Sequence, residues 1–115
     1  MDTGSDGGIV DVSEFRKIKL AIGKVIEASD VEKSNKLLKL KVSIGDSTRT
    51  VISGIKKFYS ADSVVGKRVI VITNLKHAKM MGIESEGMVL AASDDEGRLV
   101  LLTTDADIKE GSQVS

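Results

Sequence analysis

The sequence predicts an all-β fold: a five-stranded Greek-key barrel with a short helix between strands 3 and 4 and an extra C-terminal hairpin strand. Three observations carry this. Apolar and polar residues alternate with a period of two over much of the chain, the pattern of strands with one buried face. That period breaks over residues 56–66, where Ser60, Asp62 and Gly66 have the spacing of a short capped helix. Gly23 interrupts the first alternating run, where a small barrel needs a bulge or bend to turn its corner.

Taken in order, residues 1–13 (MDTGSDGGIVDVS) are rich in Gly and Asp and offer little to bury. They read as a flexible leader or linker ahead of a single domain over 14–115. The first strand starts at Ile18, with Ile18, Leu20 and Ile22 on one face, and resumes after Gly23 as Val25-Ile26. Ser34-Asn35 supplies a turn. Leu38, Leu40, Val42 and Ile44 then alternate with Lys39, Lys41 and Ser43, the clearest half-buried strand of the chain. Gly45-Asp46-Ser47 turns into a third strand, Arg49 to Ile55. After the helix come a fourth strand, Lys67 to Leu75, and a fifth, Gly87 to Ser93; the turn Asp94–Gly97 leads into a sixth, Arg98 to Leu102. The tail from Asp105 to Ser115 is read as irregular.

Composition removes several functional classes. A chain of 115 residues with one histidine and no cysteine has no disulfide, no thiolate metal site and no cysteine nucleophile. G-x-S-x-G and P-loop patterns are lacking and no paired carboxylates stand out, so the expectation is a protein that is not an enzyme, with no catalytic residues, cofactor or metal. No apolar run approaches the roughly 20 residues of a membrane span, and the N-terminus lacks a signal-peptide pattern, so a cytoplasmic setting is expected, with no membrane partner.

Net charge is zero, yet its distribution is uneven. Residues 14–83 hold fifteen Lys and Arg against six acids, an excess of nine positive charges that the two flanks offset. That asymmetry suits an anionic partner. A solvated strand face balanced by acidic tails accounts for it equally well.

The densest cluster of candidate binding residues is the stretch 74–88, between the apolar runs Val69–Ile72 and Val89–Ala92. It carries Asn74, Lys76, His77, Lys79, three methionines and Ser85, more than a simple connection needs.

Three strands, a helix and two further strands give the order of the OB-fold, whose surface takes oligonucleotides or oligosaccharides. Barrels that bind single strands indiscriminately stack bases on aromatic platforms. This chain has only Phe15, Phe58 and Tyr59, none on a predicted strand face. Recognition of a folded RNA through backbone and shape is the better match.

Three segments then bring a family into view: Val51-Ile-Ser-Gly-Ile-Lys-Lys-Phe-Tyr, Gly66-Lys-Arg-Val-Ile-Val-Ile-Thr-Asn-Leu-Lys and Lys79-Met-Met-Gly-Ile-Glu-Ser-Glu-Gly-Met. They resemble the tRNA-binding domain appended to methionyl-tRNA synthetases, which also occurs as a stand-alone dimeric tRNA-binding protein and in the endothelial monocyte-activating polypeptide group. The resemblance spans roughly residues 14–112. It implies an OB-fold that binds tRNA without catalysis, assists an aminoacyl-tRNA synthetase such as the methionyl enzyme, and forms a homodimer. It also implies tRNA-binding roles for Asn74, Lys76, Lys79, Ser85 and Met88. Lys76 and Lys79 suit phosphates, and Ser85 suits a phosphate or a 2′-hydroxyl. Met88 suits a base or ribose, or else the core. Lys36, Lys39 and Lys41 would add a basic strip. The sequence departs from the family at Ala21, where an arginine is common, at Asp30–Asn35, where a His-Pro-Asp-Ala turn is usual, and at His77, where proline is frequent. The alternative within the same fold is a dimeric chaperone or interaction module that binds peptides.

Overall fold

The computed structural model describes residues 8–115; the first seven residues of the expected leader lie outside the described residues. The chain forms a near-closed OB-fold barrel. Its hub is β1 (Leu20–Asp30), which pairs antiparallel with β2 (Leu38–Ser43) through its C-terminal half and with β4 (Arg68–Ile72) through its N-terminal half. With β3 (Thr48–Ser53) on β2 and β7 (Met88–Val89) on β4, the sheet runs β3-β2-β1-β4-β7. The core follows the alternation: Val25, Leu38, Leu40, Val42, Val51, Val69 and Val71 are all fully buried. The helix α2 (Ala61–Val64) starts at Ser60, whose Oγ accepts from the Ser63 N–H, and it inserts the fully buried Val64 into the core.

Several expectations are corrected. The first strand starts at Leu20 rather than Ile18, and Ile18 is half-exposed. Its irregularity falls between Val25 and Glu27, beyond Gly23. Gly23 serves close packing instead: a Cβ there would stand 2.4 Å from Val42 Cγ1 and 3.0 Å from Val71 Cγ2. The expected fifth strand is two short pieces, β7 and β8 (Ala91–Ser93), because Leu90 leaves one ladder and joins another. Its N–H donates to Ile70 O, and its carbonyl accepts from Leu102 N. The strand β9 (Leu99–Leu101) pairs with β8 as a hairpin, tied to the barrel where Leu101 N–H donates to Tyr59 Oη at 3.0 Å.

The tail is ordered by the barrel. Arg68 pairs with Asp107 at 3.0 Å, Ser43 Oγ donates to Glu110 at 2.7 Å, and β10 (Gln113–Val114) adds to β1 beside Leu20 and Ala21. A turn of helix, α1 (Val12–Phe15), begins inside the segment read as leader, where Asp11 N–H donates to the Glu14 carboxylate. Val12, Phe15, Ile18 and Val114, with Arg16, Lys19, Gln113 and Ser115 among them, line a hollow.

Candidate nucleic-acid interface

The stretch 74–88 is a hairpin standing on the barrel's closure. Two strands, β5 (Ala78–Met80) and β6 (Ile83–Ser85), pair antiparallel across Met81-Gly82, which have φ of 51° and 80°. Two successive positive φ values are the signature of a type I′ turn, whose twist matches that of paired strands. The register sets Lys79 opposite Glu84. Strand alternation then puts His77, Lys79, Glu84 and Glu86 on one face of the hairpin, where His77 Nδ1 lies 2.9 Å from Glu84 Oε2.

The base of the hairpin is fastened to β3, and this is where the barrel closes. Glu86 N–H donates to Thr50 O at 2.7 Å, and Thr50 N–H donates to Glu86 Oε1 at 2.8 Å. One residue pair further along, Ile52 N–H donates to Ser85 Oγ at 3.0 Å, and that hydroxyl donates to Gly87 O at 3.1 Å. Arg49 Nη1 bridges both ends of the hairpin, donating to Thr73 O at 2.8 Å and Glu86 O at 3.0 Å. The Ser-Glu-Gly-Met turn is thus a closing device as well as a candidate contact. Gly87 belongs to it sterically, since a Cβ would meet Ile72 O at 2.9 Å.

The candidate residues therefore divide by environment. Ser85 is buried and its hydroxyl is occupied on both sides. Asn74 holds the chain entering β1, accepting from Lys19 N–H at 2.8 Å and donating to Lys17 O at 2.6 Å. Lys76 and Lys79 are exposed and make no ion pair among the described residues. Met88 is 48% exposed, so it belongs to the surface and not to the core. Lys39 and Lys41 stand exposed on β2, and Lys41 Nζ lies 3.8 Å from the Glu27 carboxylate on β1. Cross-strand pairing lines up Glu27, Lys41 and Thr50, and Thr50 in turn bonds Glu86. The β2 lysines and the hairpin thus share one side of the barrel. Lys36 is exposed on the loop before β2, off that row. Sequence reasoning missed Arg49 and the paired hydrogen bonds between Glu86 and Thr50. Nothing in the strand period distinguishes an arginine that clamps from one that is merely solvated.

A family model for the tRNA binding domain matches residues 20–113, most of the barrel. The chain belongs to the tRNA binding domain family. Among curated relatives, the methionine–tRNA ligase of Methanocaldococcus jannaschii is 57% identical over 105 residues, which is 91% of this chain and 16% of that enzyme. The methionine–tRNA ligase of Deinococcus radiodurans is 50% identical over 107 residues, again 16% of its length. The chain thus spans about one-sixth of the curated relatives it matches. Of solved structures, a MetRS related protein from Pyrococcus horikoshii superposes with a TM-score of 0.88 at 33% identity, covering 93% of this chain and 98% of that one. A CsaA chaperone protein from Picrophilus torridus gives 0.84 at 27% identity, covering 93% and 100%. Both branches share this barrel.

Proposed function

We propose that this domain binds folded tRNA through the side of the barrel formed by the β5–β6 hairpin and the β2 lysines, as a non-catalytic module that assists a synthetase of the methionyl type. The observation that carries the reading is the placement of exposed Lys76 and Lys79 on a hairpin held rigidly at its base, beside Lys39 and Lys41. Such a surface neutralises phosphates at fixed positions. It also lacks aromatic platforms: Tyr59 is engaged with Leu101, and Phe58 lies in the loop before α2. Shape and backbone recognition follow from that pairing of features. Membership of the tRNA binding domain family and the 57% identity to part of a methionine–tRNA ligase support the same reading.

In this reading the domain is a homodimer. The half-exposed Phe15 and Ile18, with Val12 and Val114 around the same hollow, offer an apolar face at the ends of the chain that suits a second copy.

A peptide-binding role is the second reading, favoured by one feature of the hairpin. Met80, Met81 and Met88 are 40%, 55% and 48% exposed, and methionine-rich surfaces adapt to varied apolar segments. A competition titration separates the two. With labelled tRNA bound at physiological salt, unlabelled tRNA should displace it well before poly-U or an apolar peptide does. Displacement by poly-U as readily as by tRNA rules out shape recognition, and tight peptide binding with no tRNA binding favours the chaperone role.

A further inference from the structure

We propose that His77, Glu84 and Glu86 form a binding site for a divalent transition-metal ion of the zinc class. One donor atom from each residue lies within 4.8 Å of the others. The register of the β5–β6 hairpin produces this convergence: Ala78 pairs with Ser85 and Lys79 with Glu84, so the next position outward sets His77 against Glu86, on the face that carries Glu84.

The chemistry of the donors selects the ion. Imidazole nitrogen with two carboxylate oxygens suits zinc and its neighbours, whereas magnesium takes oxygen and water. Ligands about 2.0–2.2 Å from a zinc ion lie roughly 3–4 Å from one another, so modest side-chain rotation closes the set. Three protein ligands leave the remaining position to water or an anion. Glu86 is oriented from outside the triad, because Thr50 N–H holds Oε1 and leaves Oε2 free to ligate.

The ordinary alternative is an exposed histidine–carboxylate pair with no ion. Against it, a second carboxylate converges on that pair, and among the described residues neither the Glu84 nor the Glu86 carboxylate forms an ion pair with a lysine or arginine. Even Lys79, directly across from Glu84, makes no ion pair with it. Two carboxylates sharing at most one imidazolium leave negative charge that a dication would offset.

The test uses zinc chloride alone, in a non-chelating buffer and without RNA, so its outcome is separate from that of the proposed function. The chain has a single histidine and no cysteine, so imidazole NMR resonances report on His77 alone. The expected result is a saturable shift with one zinc per chain, weakened about tenfold or more in both Glu84→Gln and Glu86→Gln. Glu86→Gln keeps a side-chain oxygen for Thr50 N–H, and thermal melts confirm that both variants remain folded. Magnesium at the same concentration should leave the imidazole resonances in place. No saturable shift with zinc, zinc binding unaltered in both glutamine variants, or an equal response to magnesium would each overturn the proposal.

Discussion

Ser85 Oγ accepts a hydrogen bond from the main-chain N–H of Ile52 at 3.0 Å, standing where a neighbouring strand's carbonyl would stand in a continuous ladder. Both residues are buried, Ser85 to 4% exposure and Ile52 to 5%. The serine of the Ser-Glu-Gly-Met turn therefore helps close the barrel between β3 and the base of the hairpin. Its replacement by alanine would leave a buried N–H without a partner. Ser85→Ala should lower unfolding free energy by about 1–3 kcal/mol. Urea denaturation would show this as a lower midpoint at unchanged slope. An unchanged midpoint would mean that the hydroxyl is dispensable to the fold.

Gly87 should tolerate alanine poorly. The atom its Cβ would meet is a main-chain carbonyl oxygen, Ile72 O at 2.9 Å, which cannot rotate away. The strands β4 and β7 would have to separate, at a cost of about 1–3 kcal/mol. Calorimetry on Gly87→Ala beside Gly54→Ala, where nothing lies within 4 Å of the added Cβ, provides the control.

Lys76 and Lys79 should behave in the opposite way. Both are exposed and unpaired among the described residues, so alanine at either should move stability by no more than about 0.5 kcal/mol. If each neutralises one phosphate, each variant should make the salt dependence of tRNA affinity shallower by roughly one unit in log K against log salt. Variants that keep the wild-type affinity and slope would remove the hairpin from the interface.

Arg49→Lys isolates positioning from charge. Lysine keeps the positive charge but has a shorter reach and a freely rotating ammonium in place of the rigid, planar guanidinium whose Nη1 donates to both Thr73 O and Glu86 O. Amide hydrogen exchange in β5 and β6 should quicken, and tRNA affinity should fall while its salt slope stays unchanged. Wild-type exchange rates in the hairpin would show that Arg49 does not hold its base.

Met88→Ala should separate surface from core. At 48% exposure the side chain leaves little cavity when shortened, so the stability cost should stay below the roughly 2–5 kcal/mol typical of a buried methionine. A loss of tRNA affinity at near-constant melting temperature is the expected result.

The barrel and its helix plug were legible in the sequence alone. Period-two alternation in Leu38–Ile44 or Val69–Val71 reflects a local rule, one face in and one face out, that needs no knowledge of the partner strand. Ser60 likewise caps its helix through an atom three residues away. The lysines of the hairpin and of β2 were legible because exposed charge on a strand or loop is also a local property. Tertiary structure decided what depends on residues far apart in the chain. The tail became ordered because Arg68 and Ser43 reach Asp107 and Glu110 across the fold. Asn74 and Ser85 look like free polar groups in sequence, yet both hydrogen-bond main chain more than thirty residues away. A hydroxyl or amide in a loop has the same chemistry whether it faces solvent or a strand's unpaired N–H. Only the closure of the barrel determines which of the two it meets.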